Sequence, residues 1–219
     1  MKISIVGITG RMGQEVSKLL RSDEIVGRIS SRTTDEEFEN TIKNSSAVID
    51  FSIPQVSLKA AKYCVRHRIP LVCGTTGFIG EDFGKLKSCA EYIPILYASN
   101  FSIGIFLMSR LIQMSEKVLG DFDISIIDRH HNKKKDSPSG TTLFLASQLK
   151  KSPQIAALRV GGVAGDHICS FTGDDEEITI SHRSFNRRVF ASGAVKCAFW
   201  LVSQNKGFYS LKDFLDAKE

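Results

Sequence analysis

The feature that most restricts the fold lies at the start of the chain, where three glycines follow a short apolar run. Residues 2–6 are Lys-Ile-Ser-Ile-Val, typical of a buried strand, and Gly7, Gly10 and Gly13 come directly after them, before an apolar pattern of helical period. Glycines at these positions let the backbone turn tightly and approach a pyrophosphate, which binds the free amides at a helix N-terminus. The order strand, glycine turn, helix predicts the opening of a dinucleotide-binding βαβ unit.

The glycine motif is a variant of the commonest fingerprint. Thr9 stands where that fingerprint has its second glycine, so the spacing is GxxGxxG. Taken alone this spacing is weak evidence, because glycine-rich strand ends also occur as plain turns. Its position after the first strand of the chain favours the nucleotide interpretation.

The rest of the first hundred residues repeats the same alternation. Strand-like runs recur at 25–30, 47–51, 71–73 and 93–97, with helical patterns between most of them. Strands that alternate with helices predict a parallel sheet with helices on both faces.

The pattern changes after residue 101. We predict a helix at 102–118, a strand at 122–128, a polar loop at 129–138 and a helix at 141–150. Three further strand-like runs predict a mixed or antiparallel sheet: 157–163, 166–172 and 176–183. A helical pattern at 189–204 and a short last helix complete an α/β fold, in which a Rossmann-like domain is followed by an α+β domain.

Composition excludes several classes of protein. The 219 residues have a mean hydropathy of -0.06, and no run approaches the ~18 apolar residues of a membrane span. The N-terminus lacks the pattern of a signal peptide, so we expect a cytoplasmic protein that does not bind membranes. The five scattered cysteines form no CxxC pair, which indicates free thiols rather than a disulfide framework or a zinc site. A net charge of +5 suits nucleic acid or a small polyanion such as a nucleotide or a dicarboxylate.

The end of the second predicted strand bears on the choice of nucleotide. An acidic residue there would bind the ribose 2′-hydroxyl of NAD, whereas arginine favours the 2′-phosphate of NADP. This chain has Ser30-Ser31-Arg32, and Arg11 adds a second positive charge in the glycine turn. The alternative interpretation is that Arg32 is a solvated loop arginine.

The densest polar cluster is 129–142, with the sequence Arg-His-His-Asn-Lys-Lys-Lys-Asp-Ser-Pro-Ser-Gly-Thr-Thr. Histidine titrates near neutrality and transfers protons, lysine supplies positive charge, and a Ser-Gly-Thr helix start binds carboxylate or phosphate. Together they predict a pocket for a small dianion with an acid–base group beside it. The alternative is a solvated lysine loop before an ordinary helix cap. Paired histidines without nearby cysteines or spaced acids make a poor metal site, so we expect no metal.

Four motifs follow one another along the chain: Gly7-x-x-Gly10-Arg11-Met12-Gly13, Gly74-Thr75-Thr76-Gly77, Ser99-Asn100-Phe101-Ser102 and His130-His131-x-x-Lys134-x-Asp136-x-Pro138-Ser139-Gly140-Thr141. This is the order found in dihydrodipicolinate reductases, and the chain resembles that family over essentially its whole length.

The resemblance implies a domain organisation. Residues 1–101 plus 188–219 would form the dinucleotide-binding domain, which takes NADPH or NADH. Residues 102–187 would bind the substrate and carry the interface of a homotetramer.

The resemblance also implies roles for individual residues. Proton transfer would fall to His130 and Lys134. Substrate contacts would come from His131, Ser139, Gly140, Thr141 and Arg187. Together with Arg32 from the argument above, the cofactor-binding residues would be Gly7, Ile8, Thr9, Gly10, Arg11, Met12, Gly74, Thr75, Thr76, Ser99, Asn100, Phe101 and Ser102.

The function implied is NAD(P)H-dependent reduction of a cyclic imine dicarboxylate, in lysine and diaminopimelate biosynthesis. Two alternatives stay open. Another nicotinamide-dependent dehydrogenase of amino-acid metabolism would share the first domain but not the His-His-x-x-Lys block. A nucleotide-sensing regulator without turnover would suit the positive charge, although no helix-turn-helix or RNA-binding aromatic motif is present, so no nucleic-acid partner is expected.

This chain departs from the family pattern at the adenosine end. It is markedly shorter than many members, mostly between Arg32 and Asn44, and Ser31 stands where many have an acid. Both departures leave the balance between NADH and NADPH open.

Overall fold

In the computed structural model, which describes residues 1–217, the chain divides into two units, each with its own sheet. The first unit comprises residues 1–101 and the C-terminal segment from residue 188. The second comprises Ser102–Arg187.

The sheet of the first unit has six strands, in the order β10-β5-β4-β3-β1-β2, and every neighbouring pair is parallel. The strands are β1 (Ile3–Val6), β2 (Ile25–Ile29), β3 (Ala47–Asp50), β4 (Leu71–Cys73), β5 (Pro94–Tyr97) and β10 (Gly207–Tyr209). The chain leaves β1 toward β2 and then returns to the other side of β1 as β3. In such sheets ligands bind at the carboxyl ends of the strands where the direction of winding reverses, here between β1 and β3.

Helices cover this sheet, which is why β1, β3 and β4 are buried at every residue and form continuous runs with little polar alternation. The helices are α1 (Arg11–Ser17), α2 (Asp35–Lys43), α3 (Pro54–His67), α4 (Asp82–Ser88), a 3-10 turn (Cys89–Glu91), α7 (Arg188–Leu201) and α8 (Leu211–Asp216). Helix α7 packs against α1, β3, β4 and β5. A Cβ at Gly193 would lie 1.9 Å from the Phe101 carbonyl oxygen, so only glycine permits this close approach.

The sheet of the second unit is mixed. Its order is β7-β6-β8-β9, with β7 parallel to β6 and the other pairs antiparallel. The elements are α5 (Ile103–Val118), β6 (Asp123–His130), α6 (Gly140–Ser147), β7 (Gln154–Arg159), β8 (Gly165–Thr172) and β9 (Glu177–Ser184). Ile124 and Ile126 on β6, with Cys169 and Phe171 on β8, form a core with the apolar face of α5 and Leu145 of α6. Among residues 1–217, no helix is long and apolar enough to cross a bilayer.

The structure corrects several predicted boundaries. Strand β6 continues to His130, so Arg129 and His130 do not belong to a loop; they pair with Asp166 of β8 and with β7. Strand β7 begins at Gln154 rather than 157 and runs parallel to β6. The polar residues at this end of β6 are typical of a loop in sequence, and only the pairing with β7 and β8 shows that they belong to a strand.

Two elements were not predicted from the sequence. Helix α2 begins with a capping box in which Thr34 accepts from the Glu37 amide while the Glu37 carboxylate accepts from the Thr34 amide. The Thr-x-x-Glu spacing was a usable signal for it. Strand β10 has only three residues and gave no comparable signal.

Candidate active site

The glycine turn joins β1 to α1 as predicted. Gly7 has a φ of 80°, and a Cβ there would lie 2.4 Å from the carbonyl oxygen of Phe51. A Cβ at Gly13 would lie 2.2 Å from the Gly7 carbonyl oxygen. Both positions therefore require glycine for the turn itself, and the chain passes close beneath the end of β3.

A cavity of about 280 Å³ opens beside this turn. Its lining consists of Gly7, Thr9, Gly10, Ile29, Ser30, Ser31, Phe51, Ser52, Ile53 and Val56. It lies at the carboxyl ends of β1, β2 and β3, and its walls are main chain, hydroxyls and apolar side chains. Such a surface fits the nucleoside part of a dinucleotide. Arg11 and Arg32 are both exposed, and the Arg32 amide donates to Ser30 Oγ in a turn (3.2 Å).

A fully buried carboxylate, Asp50, lies at the end of β3. It accepts hydrogen bonds from the hydroxyls of Ser52, Ser57 and Thr75; the Thr75 Oγ1 to Asp50 Oδ2 distance is 3.0 Å. The Ser52 amide donates to Thr75 Oγ1 in turn (2.8 Å). Burial raises the pKa of Asp50, and the hydroxyl hydrogen bonds offset part of that rise. Asp50 therefore ties the loop after β3 to the loop after β4.

These bonds place the Thr75 side chain inside the protein. It is buried, and its hydroxyl is used within the protein, so it positions the 74–76 loop, and a cofactor contact of Thr75 stays a prediction. Gly74 lies against the Phe51 ring, which a Cβ would meet at 2.1 Å. Thr76 is exposed, and nucleotide contacts through this loop stay a prediction.

Two side chains of the Ser99–Ser102 segment, those of Phe101 and Ser102, make contacts within the protein. Phe101 is buried and packs edge-on against Phe51, with ring centroids 5.6 Å apart. In the second unit, Ser102 is the N-cap of α5 and its Oγ accepts from the Ile105 amide (3.2 Å). Ser99 is exposed and Asn100 half-buried. A role in cofactor binding for this segment stays a prediction.

In the second unit, polar and titratable groups surround Asp128, which is fully buried in β6. Asp128 Oδ1 lies 2.6 Å from His130 Nδ1, and Oδ2 accepts from the Ser139 amide at 2.7 Å. Arg159 Nη2 lies 3.3 Å from the same Oδ2, and His167 Nε2 lies 3.8 Å from Oδ1. Burial alone would raise the pKa of Asp128, but the Ser139 amide and the charges on His130 and Arg159 lower it below its usual value.

His130 lies at the last position of β6, and its Nδ1 faces Asp128. Its ring packs edge-on against His167, with centroids 5.3 Å apart. Burial lowers the pKa of His130, Asp128 opposes that shift, and Lys134 and Arg159 add to it. Burial also lowers the pKa of His167, to about 4, so His167 is neutral at physiological pH. Asp128 thus fixes the proton of neutral His130 on Nδ1 and leaves Nε2 for an outside partner.

Lys134 and the start of α6 lie next along the chain. Lys134 Nζ is 2.9 Å from Asp136 Oδ1. That hydrogen bond lowers the pKa of Asp136, as does the amide of Gly140. A carboxylate of this chain thus lies between a lysine and a helix N-terminus, which is the environment that an anionic ligand needs.

The Ser139-Gly140-Thr141 turn opens α6 as predicted, and a substrate contact of Ser139 stays a prediction. Ser139 is buried, its amide donates to Asp128, and its Oγ accepts from the Thr142 amide (3.2 Å). Ser139 therefore shapes the turn, while Gly140 and Thr141 carry the first amides of the helix. His131 is half-buried and Arg187 is exposed beyond β9. Their substrate contacts stay predictions.

Models of known families match both units. The model described as "Dihydrodipicolinate reductase, N-terminus" matches residues 1–101, and that described as "Dihydrodipicolinate reductase, C-terminus" matches residues 104–215. The chain belongs to the dihydrodipicolinate reductase family. The members of this family are NAD(P)H-dependent reductases.

Individual members are similar over nearly their full length. A 4-hydroxy-tetrahydrodipicolinate reductase of Rickettsia rickettsii (strain Sheila Smith) is 36% identical, covering 97% of this chain and 98% of that protein. One from Thermosipho africanus (strain TCF52B) is 35% identical over 218 residues, covering 98% of each. Because that alignment spans nearly the whole relative, the short length of this chain is shared within the family.

A solved structure has the same fold. The dipicolinate-bound dihydrodipicolinate reductase from Paenisporosarcina sp. TG-14 superposes with a TM-score of 0.79 at 23% identity, covering 96% of this chain and 97% of that one. The α/β fold with a Rossmann-like domain and a second mixed-sheet domain is thereby confirmed.

Three residues of the polar cluster around His130 were not predicted from the sequence: Asp128, Arg159 and His167. Asp128 and His130 lie two apart on one face of a strand, and Asp128 pairs directly with His167 in the β6–β8 register. Arg159 pairs with His130 in the β6–β7 register. The alternation of Asp128 and His130 was a usable signal, but only once β6 is known to reach His130.

Donor atoms of Asp128, His130 and His167 lie within 4.8 Å of one another, close enough in principle to hold a metal ion. The 2.6 Å between Asp128 and His130 is the length of a hydrogen bond with the proton in place, and the Arg159 guanidinium already neutralises the carboxylate. The cluster therefore favours proton chemistry, and the absence of a metal in the working protein stays a prediction.

Proposed function

We propose that this chain reduces a cyclic imine dicarboxylate to tetrahydrodipicolinate with hydride from NAD(P)H. This is the 4-hydroxy-tetrahydrodipicolinate reductase reaction of lysine and diaminopimelate biosynthesis. The observation that carries the proposal is the Asp128–His130 pair, hydrogen-bonded to the same turn that opens α6, with Lys134 beside it. The bound dipicolinate of the Paenisporosarcina structure supports a small dicarboxylate as the ligand class.

The glycine turn fits a nicotinamide dinucleotide. Gly7 and Gly10 line a cavity at the carboxyl ends of β1 and β3, and their lack of side chains allows close approach of phosphate groups. The dinucleotide supplies the hydride. Arg11 and Arg32 provide positive charge at the exposed edge of this region.

Lys134 and the amides at the start of α6 hold a carboxylate of the substrate. Lys134 Nζ and the Gly140 amide already hold the Asp136 carboxylate, so they suit an exogenous one. Positive charge placed there also favours the negative charge that builds on the ring as hydride arrives. Asp136 must give up Lys134 when the substrate binds.

The proton that completes the reduction comes from His130 with Lys134. Neutral His130 has its proton on Nδ1 toward Asp128, so a proton passes to the substrate only through Nε2 of the protonated ring. Because burial lowers the pKa of His130, protonated His130 is a minority at neutral pH in the free protein. Lys134 supplies the proton where His130 is neutral, and the two negative charges of the substrate raise the protonated fraction of His130.

We expect NADPH to be favoured over NADH, because Arg32 can bind a 2′-phosphate and Ser30-Ser31 offers no acid for a ribose 2′-hydroxyl. The Arg32 side chain is exposed at the end of β2, where a 2′-phosphate would reach it.

The protein acts in the cytoplasm as a homotetramer whose interface lies on the second unit. The sheet of that unit has a face away from α5 that carries Ile127, Leu158 and Ile168 around the buried Asp166. Sedimentation of the wild type tests the assembly, and a monomer at micromolar concentration would contradict it.

The reaction is tested by the loss of NADH or NADPH absorbance, with the substrate made in place by a dihydrodipicolinate synthase from pyruvate and aspartate semialdehyde. We expect synthase-dependent oxidation in the wild type. His130→Gln and Lys134→Ala each lower kcat by ~10²-fold or more. Lys135→Ala is the matched control, because Lys135 is an exposed lysine of the same loop, and it keeps wild-type turnover.

Two outcomes would separate the alternatives. Nucleotide binding without synthase-dependent oxidation, together with salt-sensitive retention on DNA, would favour a nucleotide-sensing regulator. Oxidation that depends on a different amino-acid precursor would place the chain with another dehydrogenase.

A further inference from the structure

Asp128 is the point where three strands and a helix start meet. It lies on β6, directly opposite His167 of β8 in the sheet register. Arg159 of β7 pairs with His130 and reaches back to the carboxylate. The Ser139 amide approaches from the turn before α6. No other fully buried acid in the described part of the second unit joins these elements.

The two oxygens of Asp128 bind different parts of the proposed site. Oδ1 receives His130 Nδ1 at 2.6 Å, which fixes the ring and its tautomer. Oδ2 receives the Ser139 amide at 2.7 Å, which fixes the turn whose next residues are Gly140 and Thr141. One rigid carboxylate therefore sets the distance between the proton-carrying ring and the carboxylate-binding turn.

Arg159 completes this arrangement. Its Nη2 lies 3.3 Å from Asp128 Oδ2 and donates to the Asp136 carbonyl oxygen at 2.6 Å. The guanidinium thus neutralises Asp128 and anchors the loop that carries Lys134.

We propose that Asp128 is a positioning residue that holds His130 and the Ser139 turn in one fixed geometry, and that Arg159 anchors the Lys134 loop to the same carboxylate. The inference rests on the proposed function, in which His130 and that turn face the same substrate. Asp128 touches neither substrate nor cofactor and acts through its partners.

Asp166 shows what a structural carboxylate in the same sheet looks like. It is also buried, but it lies on the opposite face of the sheet and is bound by Arg129 and Arg183, at 2.9 and 3.0 Å. Neither arginine is among the residues placed in the site. Asp128 differs because its strongest partners are His130 and the Ser139 turn.

The first experiment is an NMR titration of His130 in the intact protein, which does not depend on turnover. Asp128→Asn removes the charge that raises the His130 pKa, so the midpoint falls by about one unit or more. Arg159→Gln removes a charge that lowers it, so the midpoint rises. Opposite shifts support the proposal, because a general loosening of the unit would move both variants the same way. Equal shifts, or none, overturn it.

Arg159→Gln also covers the case in which Asp128→Asn fails to fold, since Arg159 lies on β7, an edge strand of the sheet. An unchanged His130 midpoint in Arg159→Gln would overturn the proposal without the second variant.

The second experiment is a double-mutant cycle on turnover. We expect Asp128→Asn to lower kcat by ~10²-fold, to raise the KM of the dicarboxylate and to leave the KM of NADPH unchanged. In the His130→Gln background, Asp128→Asn adds no further loss of kcat, because its effect passes through His130. Multiplicative losses would overturn the proposal. If the wild type itself has no turnover, the proposed function fails, while the titration still decides whether Asp128 positions His130.

Discussion

Among residues 1–217, each unit has one completely buried carboxylate, and the partners of the two carboxylates differ in kind. Asp50 in the first unit is held by the hydroxyls of Ser52, Ser57 and Thr75. Asp128 in the second is held by ring, amide and guanidinium nitrogens. Burial raises the pKa of Asp50, whereas the nitrogen partners of Asp128 outweigh burial and lower its pKa.

The contrast follows from the hydrogen-bonding capacity of the partners of each carboxylate. Hydroxyls both donate and accept, so the bonds around Asp50 can reverse, and the carboxylate ties loops together without controlling charge. The amide of Ser139 and the guanidinium of Arg159 only donate, so their partner must remain an acceptor. The first unit therefore uses its buried carboxylate to fix two loops, and the second holds its carboxylate in the charged form.

The largest expected effect separates these two carboxylates. Asp128→Asn should destabilise the second unit by about 3–5 kcal/mol, because it leaves donors facing a group that cannot accept from all of them. Asp50→Asn should cost about 1 kcal/mol or less, since the hydroxyls of Ser52, Ser57 and Thr75 reorient. Hydrogen exchange of the β6 and β3 amides reports each unit separately. Similar costs in the two variants would remove the distinction between hydroxyl and nitrogen partners.

The next effect is a pH dependence confined to the second unit. His167 has an unfolded pKa near 6.5 and a folded pKa of about 4, so the unfolded chain binds its proton first. The contribution of His167 to the free energy of unfolding is complete above about pH 6.5. It is lost as the pH drops toward 4, by about 3 kcal/mol in total.

His167→Asn should flatten this loss. The measurement is amide exchange of β8 between pH 7 and 4, with β3 as the internal reference. A wild-type slope retained in the variant would show that other groups cause the pH dependence.

A smaller effect concerns the nucleotide side. Arg32→Asp should raise the KM of NADPH by about tenfold or more while changing that of NADH little, because hydrogen bonds to charged groups contribute about 1.5–3 kcal/mol. Arg28→Asp makes the same charge change at an exposed position of β2 and serves as the control. Equal losses for both nucleotides would remove Arg32 from the 2′-phosphate site.

The smallest effect concerns Asp136, whose Oδ1 forms an ion pair with Lys134 Nζ at 2.9 Å. Asp136→Asn frees Lys134 for the substrate, so the KM of the dicarboxylate should fall by up to about fivefold, the value of an exposed ion pair. Steady-state kinetics measures it, with Asp123→Asn as an exposed control on β6. A rise in KM would mean that Asp136 orients Lys134 instead of competing for it.

Local sequence was sufficient wherever backbone geometry decides. The spacing of Gly7, Gly10 and Gly13 predicted the β1–α1 turn, since left-handed φ and close backbone contact leave only glycine. The Ser-Gly-Thr sequence predicted the start of α6 within one residue.

What the sequence by itself determined is the order of most elements and the glycine turn after β1, because each depends on neighbours along the chain, while the acid–base roles of His130 and Lys134 stay predictions. Only the tertiary structure decided which polar groups are already in use. Thr75 and Ser139 are occupied by bonds within the protein, and Arg159 and His167 reach Asp128. Strand register sets these contacts, and register is fixed by packing between segments far apart in the chain.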